Sequence, residues 1–182
     1  MKFNKSVWIA FALLIIVGSV LRVAGLAPQI AMAIFGAAVI KDRKLAFILP
    51  LVSMFLSDVL YEVLFMAGYT DYGGFYEGQV TNYLLLCGVT LLGFLARNLH
   101  WARIAAVTLS APFVFFIASN FLVWFGGGGY QRPKTFEGLM MCYNDALPFL
   151  RSSMESTLVF SLVLFGGYFL IQRLAAPAKQ LA

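Results

Sequence analysis

Polar and aromatic side chains gather in two stretches of an otherwise apolar sequence, residues 69–83 and 124–149. Such residues suit the binding of a small solute, because aromatic rings stack on it and a few amide or guanidinium groups fix its orientation. Asn120 and Trp124 are one helical turn apart, so both would face the same side of a helix. The residues that we predict to line a ligand site are Tyr76, Asn120, Trp124, Tyr130, Tyr143, Asn144 and Arg151.

Ionisable residues interrupt the apolar runs at a few positions. Charged groups within a membrane span are costly, so they usually pair with each other or mark a functional site. We predict an ion pair between Arg22 and either Asp58 or Glu62, which lie one helical turn apart. The alternative is that the spare carboxylate belongs to a ligand or proton site. Arg151 and Glu155 are also one turn apart, and either they bridge each other or Arg151 contacts the ligand.

The sequence contains two cysteines and one histidine. No grouping of His, Cys and carboxylates has the spacing of a zinc site. A lone thiolate can bind a soft metal centre, including the cobalt of a corrinoid, and Cys142 is our first choice for that role and Cys87 the second. The alternative is that both are small, inert, buried side chains.

Composition identifies a membrane protein. Hydrophobic residues make up 62% of the chain and charged residues 12%, against about 45–50% and about 25% in soluble domains. The apolar runs are unbroken, as in Leu158–Ile171, which favours helices over the alternating strands of a membrane β-barrel. No polar segment is long enough to fold as a soluble catalytic domain, and no phosphate-binding loop is present. We therefore predict that the chain is not an enzyme, although Asp58 and Glu62 leave an acid–base role formally open.

A membrane span needs about 20 apolar residues. The sequence predicts an all-α bundle of six transmembrane helices in one domain, residues 1–182. We expect the first apolar run to be kept as a helix rather than removed as a signal peptide, because it is long and contains Arg22. The predicted spans are Val7–Ala24, Pro28–Ile40, Leu45–Gly68, Thr81–Leu95, Ala102–Phe125 and Met154–Leu174.

Loop charges predict the orientation. With six spans, both termini and the second and fourth loops share one side, which takes nine of the thirteen Lys and Arg residues, including Lys2 and Lys179. Positively charged loops stay in the cytoplasm. We therefore expect a multi-pass membrane protein with cytoplasmic termini and aromatic loops outside. The net charge of +5 then indicates contact with anionic lipid headgroups rather than nucleic acid.

Several segments carry a resemblance to known proteins. Phe115–Phe121 with Trp124, followed by Cys142-Tyr143 and Ala146–Phe149, resembles a family of small, uncharacterised bacterial membrane proteins related to the substrate-binding S components of energy-coupling-factor vitamin transporters. The six-helix pattern with a short second helix is similar to those S components and to solitary cobalamin transporters of the BtuM type, which use a cysteine as cobalt ligand. S components that share an energising module carry an Ala-xxx-Ala pattern in their first helix. Here that spacing occurs at Ala27/Ala31 and Ala33/Ala37 instead.

The resemblance implies a protein of the bacterial inner membrane that binds a micronutrient arriving from the outer face, such as cobalamin or another vitamin. It would work alone or with a separate ATPase module, with no cofactor of its own beyond a bound cobalamin substrate. An alternative from another class is a structural or assembly subunit of a membrane complex whose outer loops bind a protein.

Overall fold

The computed structural model describes residues 5–175, and the side chains of residues 8–174. The described chain is helical, without a β-strand. A short 3-10 turn, Phe94–Ala96, extends the fourth helix. The helices are α1 Lys5–Val23, α2 Gln29–Val39, α3 Arg43–Met66, α4 Gln79–Gly93, α5 Trp101–Gly126 and α6 Phe136–Ala175.

Four of these helices are long and apolar enough to cross a membrane, namely α3, α4 with its 3-10 extension, α5 and α6. The described apolar parts of α1 and α2, Trp8–Val23 and Gln29–Val39, are shorter. A multi-pass helical membrane protein is therefore supported by length and composition. The six-span count stays a prediction, and Lys2 and Lys179, which entered the charge argument, lie outside the described residues.

Helix α2 forms the centre of the bundle, because it packs against each of the other five helices. All residues from Gln29 to Ala38 are buried. Small residues allow this close packing. A Cβ atom added at Gly93 of α4 would lie 2.8 Å from the Cβ of Ala37 and 3.2 Å from the carbonyl oxygen of Ala33. The small-residue spacing on α2 thus serves helix packing inside this chain.

The sixth helix differs from the predicted one. It begins at Phe136, not at Met154, so most of the segment that we expected to be a loop up to Phe149 is helical. Forty residues of helix are about 60 Å long, twice the thickness of a hydrocarbon core. The segment Leu139–Leu147 contains neither Gly nor Pro, and its side chains find partners on α5, which accounts for the early start.

Two contacts show how α6 runs along α5. The hydroxyl of Tyr143 donates to the carbonyl of Ile117 over 3.2 Å, and the rings of Trp101 and Phe169 lie 4.6 Å apart. Between these contacts α6 rises about 39 Å and α5 only about 24 Å. The two helices therefore do not run straight and antiparallel throughout, and Pro148 inside α6 is the natural position for a bend.

Candidate ligand-binding cleft

The centre of the candidate site is Asp58 of α3, a carboxylate that is fully buried. It pairs with Arg22 at the end of α1. Its other oxygen accepts hydrogen bonds from Tyr83 over 2.6 Å and from Gln79 over 2.7 Å, both on α4. Three helices thus meet at one carboxylate. With three donors, Asp58 has little capacity left for a ligand, so its role is to hold its neighbours in place.

Arg22 is oriented by several groups at once. Its Nη1 donates to Ser57 over 2.6 Å in addition to Asp58, and its guanidinium lies over the ring of Tyr61, 5.6 Å from the centroid. The hydroxyl of Tyr61 donates in turn to the backbone carbonyl of Arg22 over 3.1 Å. Within the described residues, Nη2 and Nε of Arg22 make no hydrogen bond, and the side chain is 20% exposed. Arg22 is therefore held firmly while one edge of its guanidinium stays available.

The connection between α3 and α4, residues 67–78, folds over this pair. Glu62 is not the partner of Arg22; its Oε2 accepts the backbone N–H groups of Gly74 over 2.9 Å and Phe75 over 3.4 Å. Gln79 links Asp58 to the carbonyl of Gly74, at 3.3 Å. The two predicted partners of Arg22 thus have different tasks. Asp58 pairs with the arginine, and Glu62 fastens the loop.

Two glycines permit this loop to approach α3 so closely. A Cβ atom at Gly74 would lie 1.7 Å from the carbonyl oxygen of Asp58, and one at Gly73 would lie 2.7 Å from Oε2 of Glu62. Only glycine fits at 74, because the obstacle there is backbone. Gly73 and Gly74 are not among the residues predicted from the sequence to form the site. The signal that was available is a glycine pair in the middle of an aromatic loop.

The loop and the helices enclose a cleft of about 250 Å³. Its wall contains one arginine, whose Nη2 and Nε make no hydrogen bond to a described residue, and three tyrosines. Tyr61 and Tyr72 lie with ring centroids 5.6 Å apart, and the hydroxyl of Tyr76 accepts a hydrogen bond from Asn82 over 2.7 Å. The cleft is lined by Arg22, Asp58, Tyr61, Tyr72, Gly73, Gly74 and Tyr76.

Most of the other residues that we predicted for the ligand site lie elsewhere. They belong to residues 116–149, which we name the α5–α6 hairpin, or to α6 beyond it. Asn120 donates to the carbonyl of Phe116 in its own helix over 2.8 Å. Trp124 donates to the carbonyl of Pro133 over 2.8 Å, and Lys134 lies over its ring while bonding to the last carbonyls of α5. Trp124 and Lys134 thus stabilise the turn between the helices, and Asn120 bonds within α5.

The remaining predicted residues show a similar pattern. The ring of Tyr143 packs 5.7 Å from that of Phe116. Tyr130 is 78% exposed and stacks against Arg132, 5.5 Å away. Asn144 is exposed on α6. Arg151 bonds to Glu155 over 2.9 Å, and both side chains are largely exposed. Of the seven predicted ligand-binding residues, the structure places Tyr76 in the cleft and the other six on α5, α6 or their connection.

The α5–α6 connection also contains a bidentate ion pair. Arg132 bonds to Asp145 through Nε over 2.8 Å and through Nη2 over 3.0 Å. This hydrogen bonding raises the pKa of the Arg132 guanidinium. The pair ties the connection to α6, so the charges of this region are directed at each other.

Neither cysteine lies in the cleft. Cys142 is buried between α5 and α6, with its sulfur 3.6 Å from the carbonyl oxygen of Asn120. Cys87 is partly buried on α4. In the part of the chain that the structure describes, no group of three or more His, Cys, Asp or Glu side chains could hold a metal ion. The cobalt-ligand role of Cys142 thus stays a prediction separate from the cleft.

Comparisons with known proteins give one match. No curated protein matches the sequence, and no solved structure matches it. One family, described as "Family of unknown function (DUF6580)", matches residues 2–179. Because this match extends over nearly the whole sequence, the chain belongs to the DUF6580 family.

Proposed function

We propose that this membrane protein binds a small polar solute in the Arg22 cleft for uptake from the outer face, alone or with a separate ATPase module. The observation that carries the proposal is that Arg22 is held in place but keeps unused hydrogen-bond donors. A buried carboxylate holds its position, yet Arg22 lines a cleft together with three tyrosines and has N–H groups that no described residue accepts. A purely structural ion pair needs no such opening. The resemblance to S components supports the same class of function.

The cleft indicates what the solute looks like. The free N–H groups of Arg22 call for an acceptor, such as a carboxylate or carbonyl oxygen. Tyr72 and Tyr76 offer rings against which a flat group can pack. Pockets for drug-sized ligands measure about 300–1,000 Å³, so a cleft of about 250 Å³ favours a molecule of one or two rings over a corrinoid.

Two tyrosines of the same loop provide a matched test. Tyr72 lines the cleft, whereas Tyr69 is 80% exposed and lies outside it. Native mass spectrometry of the purified chain should show a small-molecule adduct of defined mass. We expect Tyr69→Ala to keep this adduct and Tyr72→Ala to lower its affinity about tenfold, the effect of removing a modest anchor.

Two outcomes would contradict this proposal. One is equal loss of the adduct in both variants. The other is purified protein that carries no adduct but forms a stable complex with another membrane protein, which would favour the structural-subunit alternative.

Uptake from outside requires the cleft to face outward. Cysteine introduced at Tyr69 should react with an impermeant thiol reagent added to whole cells, and cysteine at Asn98, in the α4–α5 connection, should not. Tyr69 is 80% exposed and can accept a cysteine, whereas Gly74 in the same loop has no room for a side chain. The reverse labelling pattern would place the cleft in the cytoplasm and rule out this direction of uptake.

A further inference from the structure

A second cluster of charged residues lies where the connection between α2 and α3 meets the connection between α4 and α5. Nη2 of Arg97 donates to the carbonyls of Ile40 and Lys41, each over 2.9 Å. This bridge fastens two loops that are far apart in sequence. It brings Lys41, Arg43 and Lys44 to the same end of the bundle as Arg97, at the opposite end of α3 from the Arg22 cleft.

Two guanidinium groups of this cluster share one aromatic ring. The Cζ atom of Arg97 lies 5.0 Å from the centroid of Phe94, and that of Arg43 lies 6.0 Å from it. Phe47 packs edge-on against the same ring at 5.8 Å. The ring attracts both cations and sets the direction of their planes. Both arginines thus lie close to the same ring.

The positive charge of this cluster is not neutralised within the described part of the chain. None of its four basic side chains has an acidic partner there; the ion pairs of the described residues all lie elsewhere. The one acidic neighbour, Asp42, accepts the N–H groups of Lys44 over 2.8 Å and Leu45 over 3.4 Å and so caps α3. The guanidinium of Arg43 makes no hydrogen bond to any described residue. No acidic side chain of the described residues therefore balances the positive charge of this cluster.

Apolar side chains beside the arginines indicate which kind of anion would bind to them. Leu91 and Leu95, one turn apart just before Arg97, are 60% and 61% exposed. On a helix that is apolar enough to span a membrane, such side chains face lipid. Guanidinium groups next to a lipid-facing surface match a molecule with a phosphate at one end and acyl chains below it.

We propose that Arg43 and Arg97, which both lie close to the ring of Phe94, bind the phosphate of an anionic phospholipid. Arginine suits this task because its planar fork can hold two phosphate oxygens at once. Lys41 and Lys44 add attraction to the headgroup. The site is independent of the solute cleft, so either proposal can fail alone.

Native mass spectrometry in detergent can test the site, with phosphatidylglycerol as the anionic probe and phosphatidylcholine of identical acyl chains as the zwitterionic one. We expect phosphatidylglycerol to bind at least about fivefold more tightly. Arg43→Gln should weaken it about fivefold, the effect of one basic residue near a charged lipid surface, and leave phosphatidylcholine unchanged. Arg103→Gln is the matched control. Arg103 is exposed on the neighbouring α5, and its guanidinium is not among those over the ring of Phe94.

Arg97→Lys provides a second variant that keeps the charge. A lysine retains attraction but loses the fork, so we expect weaker phosphatidylglycerol binding than in the wild type with its preference over phosphatidylcholine preserved. The proposal is overturned if both lipids bind equally, or if Arg103→Gln is as harmful as Arg43→Gln, which would indicate diffuse attraction. Displacement of the lipid by equimolar glycerophosphoglycerol would assign the site to a soluble phosphate, and displacement by a polyglutamate peptide would assign it to an acidic protein.

Discussion

The two aromatic stretches of this chain are similar in composition but differ in structure. The first, residues 69–83, is mostly a loop held against α3, and it covers a cleft. Much of the second, residues 124–149, is helix that packs against its neighbour. Glycines account for much of the difference. Gly68 and Gly78 have φ angles of +76° and +87°, and they end α3 and begin α4, whereas after Gly138 the second stretch has no glycine to interrupt its helix.

The polar side chains of the two regions differ in a second respect, the number of helices that they join. Around Asp58, hydrogen bonds join three helices, α1, α3 and α4, at one carboxylate. In the α5–α6 hairpin, Asn120 bonds within its own turn, and Trp124 and Tyr143 bond only within α5, α6 and their connection. Convergence of three helices brings groups to a shared point where a ligand can meet them. Bonds between two neighbouring helices serve the packing of that pair.

The largest expected effect concerns the ion pair at the centre of the first region. Arg22→Leu leaves the buried carboxylate of Asp58 without its counter-charge, and removing one partner of a buried pair costs about 3–5 kcal/mol. We expect a strongly lowered unfolding temperature in detergent, followed by circular dichroism.

The double variant Arg22→Gln with Asp58→Asn provides the control for this ion pair. It removes both charges but keeps amide groups that can still bond to Ser57, Gln79 and Tyr83. We expect it to recover part of the lost stability. A double variant that is no better than Arg22→Leu alone would show that the charge pair is not what stabilises this region.

The next effect concerns the close approach of the first loop. Gly74→Ala places a methyl group against the backbone of Asp58, so the loop must shift, at a cost of about 1–3 kcal/mol. Gly126→Ala, at the end of α5, meets no atom within 4 Å and should be neutral. Thermal unfolding compares the two variants. If Gly74→Ala were as stable as Gly126→Ala, the loop would not be held against α3 as described.

Trp124 offers the direct comparison between the two regions. Trp124→Phe keeps an aromatic ring but loses the hydrogen bond to Pro133, which is worth about 0.5–1.5 kcal/mol. We expect a small drop in unfolding temperature and an unchanged solute adduct in native mass spectrometry. Should Trp124→Phe reduce the adduct more than Tyr72→Ala does, the ligand site lies on the hairpin, where the sequence predicts most of its residues.

The sequence predicted local features better than distant ones. Apolar run length located the first five helices within a few residues, and the cost of a buried charge indicated that Arg22 needs a carboxylate from α3. What could not be predicted was which of Asp58 and Glu62 would pair, because that depends on the path of a loop controlled by Gly73 and Gly74. Aromatic composition likewise does not show whether a ring faces a ligand, as Tyr76 does, or another helix, as Tyr143 does.

The smallest expected effect concerns Cys142. Its sulfur lies 3.6 Å from the carbonyl of Asn120, a weak contact, so Cys142→Ala should change the unfolding free energy little beyond the loss of one small buried side chain. If the second region bound a corrinoid through this thiolate, cyanocobalamin added to the purified protein would change its visible spectrum in the wild type but not in Cys142→Ala. We expect the same spectrum with both proteins, and with Cys87→Ala as control, because Cys142 is covered by α5 and the cleft lies at Arg22. A spectral change that depends on Cys142 would transfer the binding role from the first region to the second.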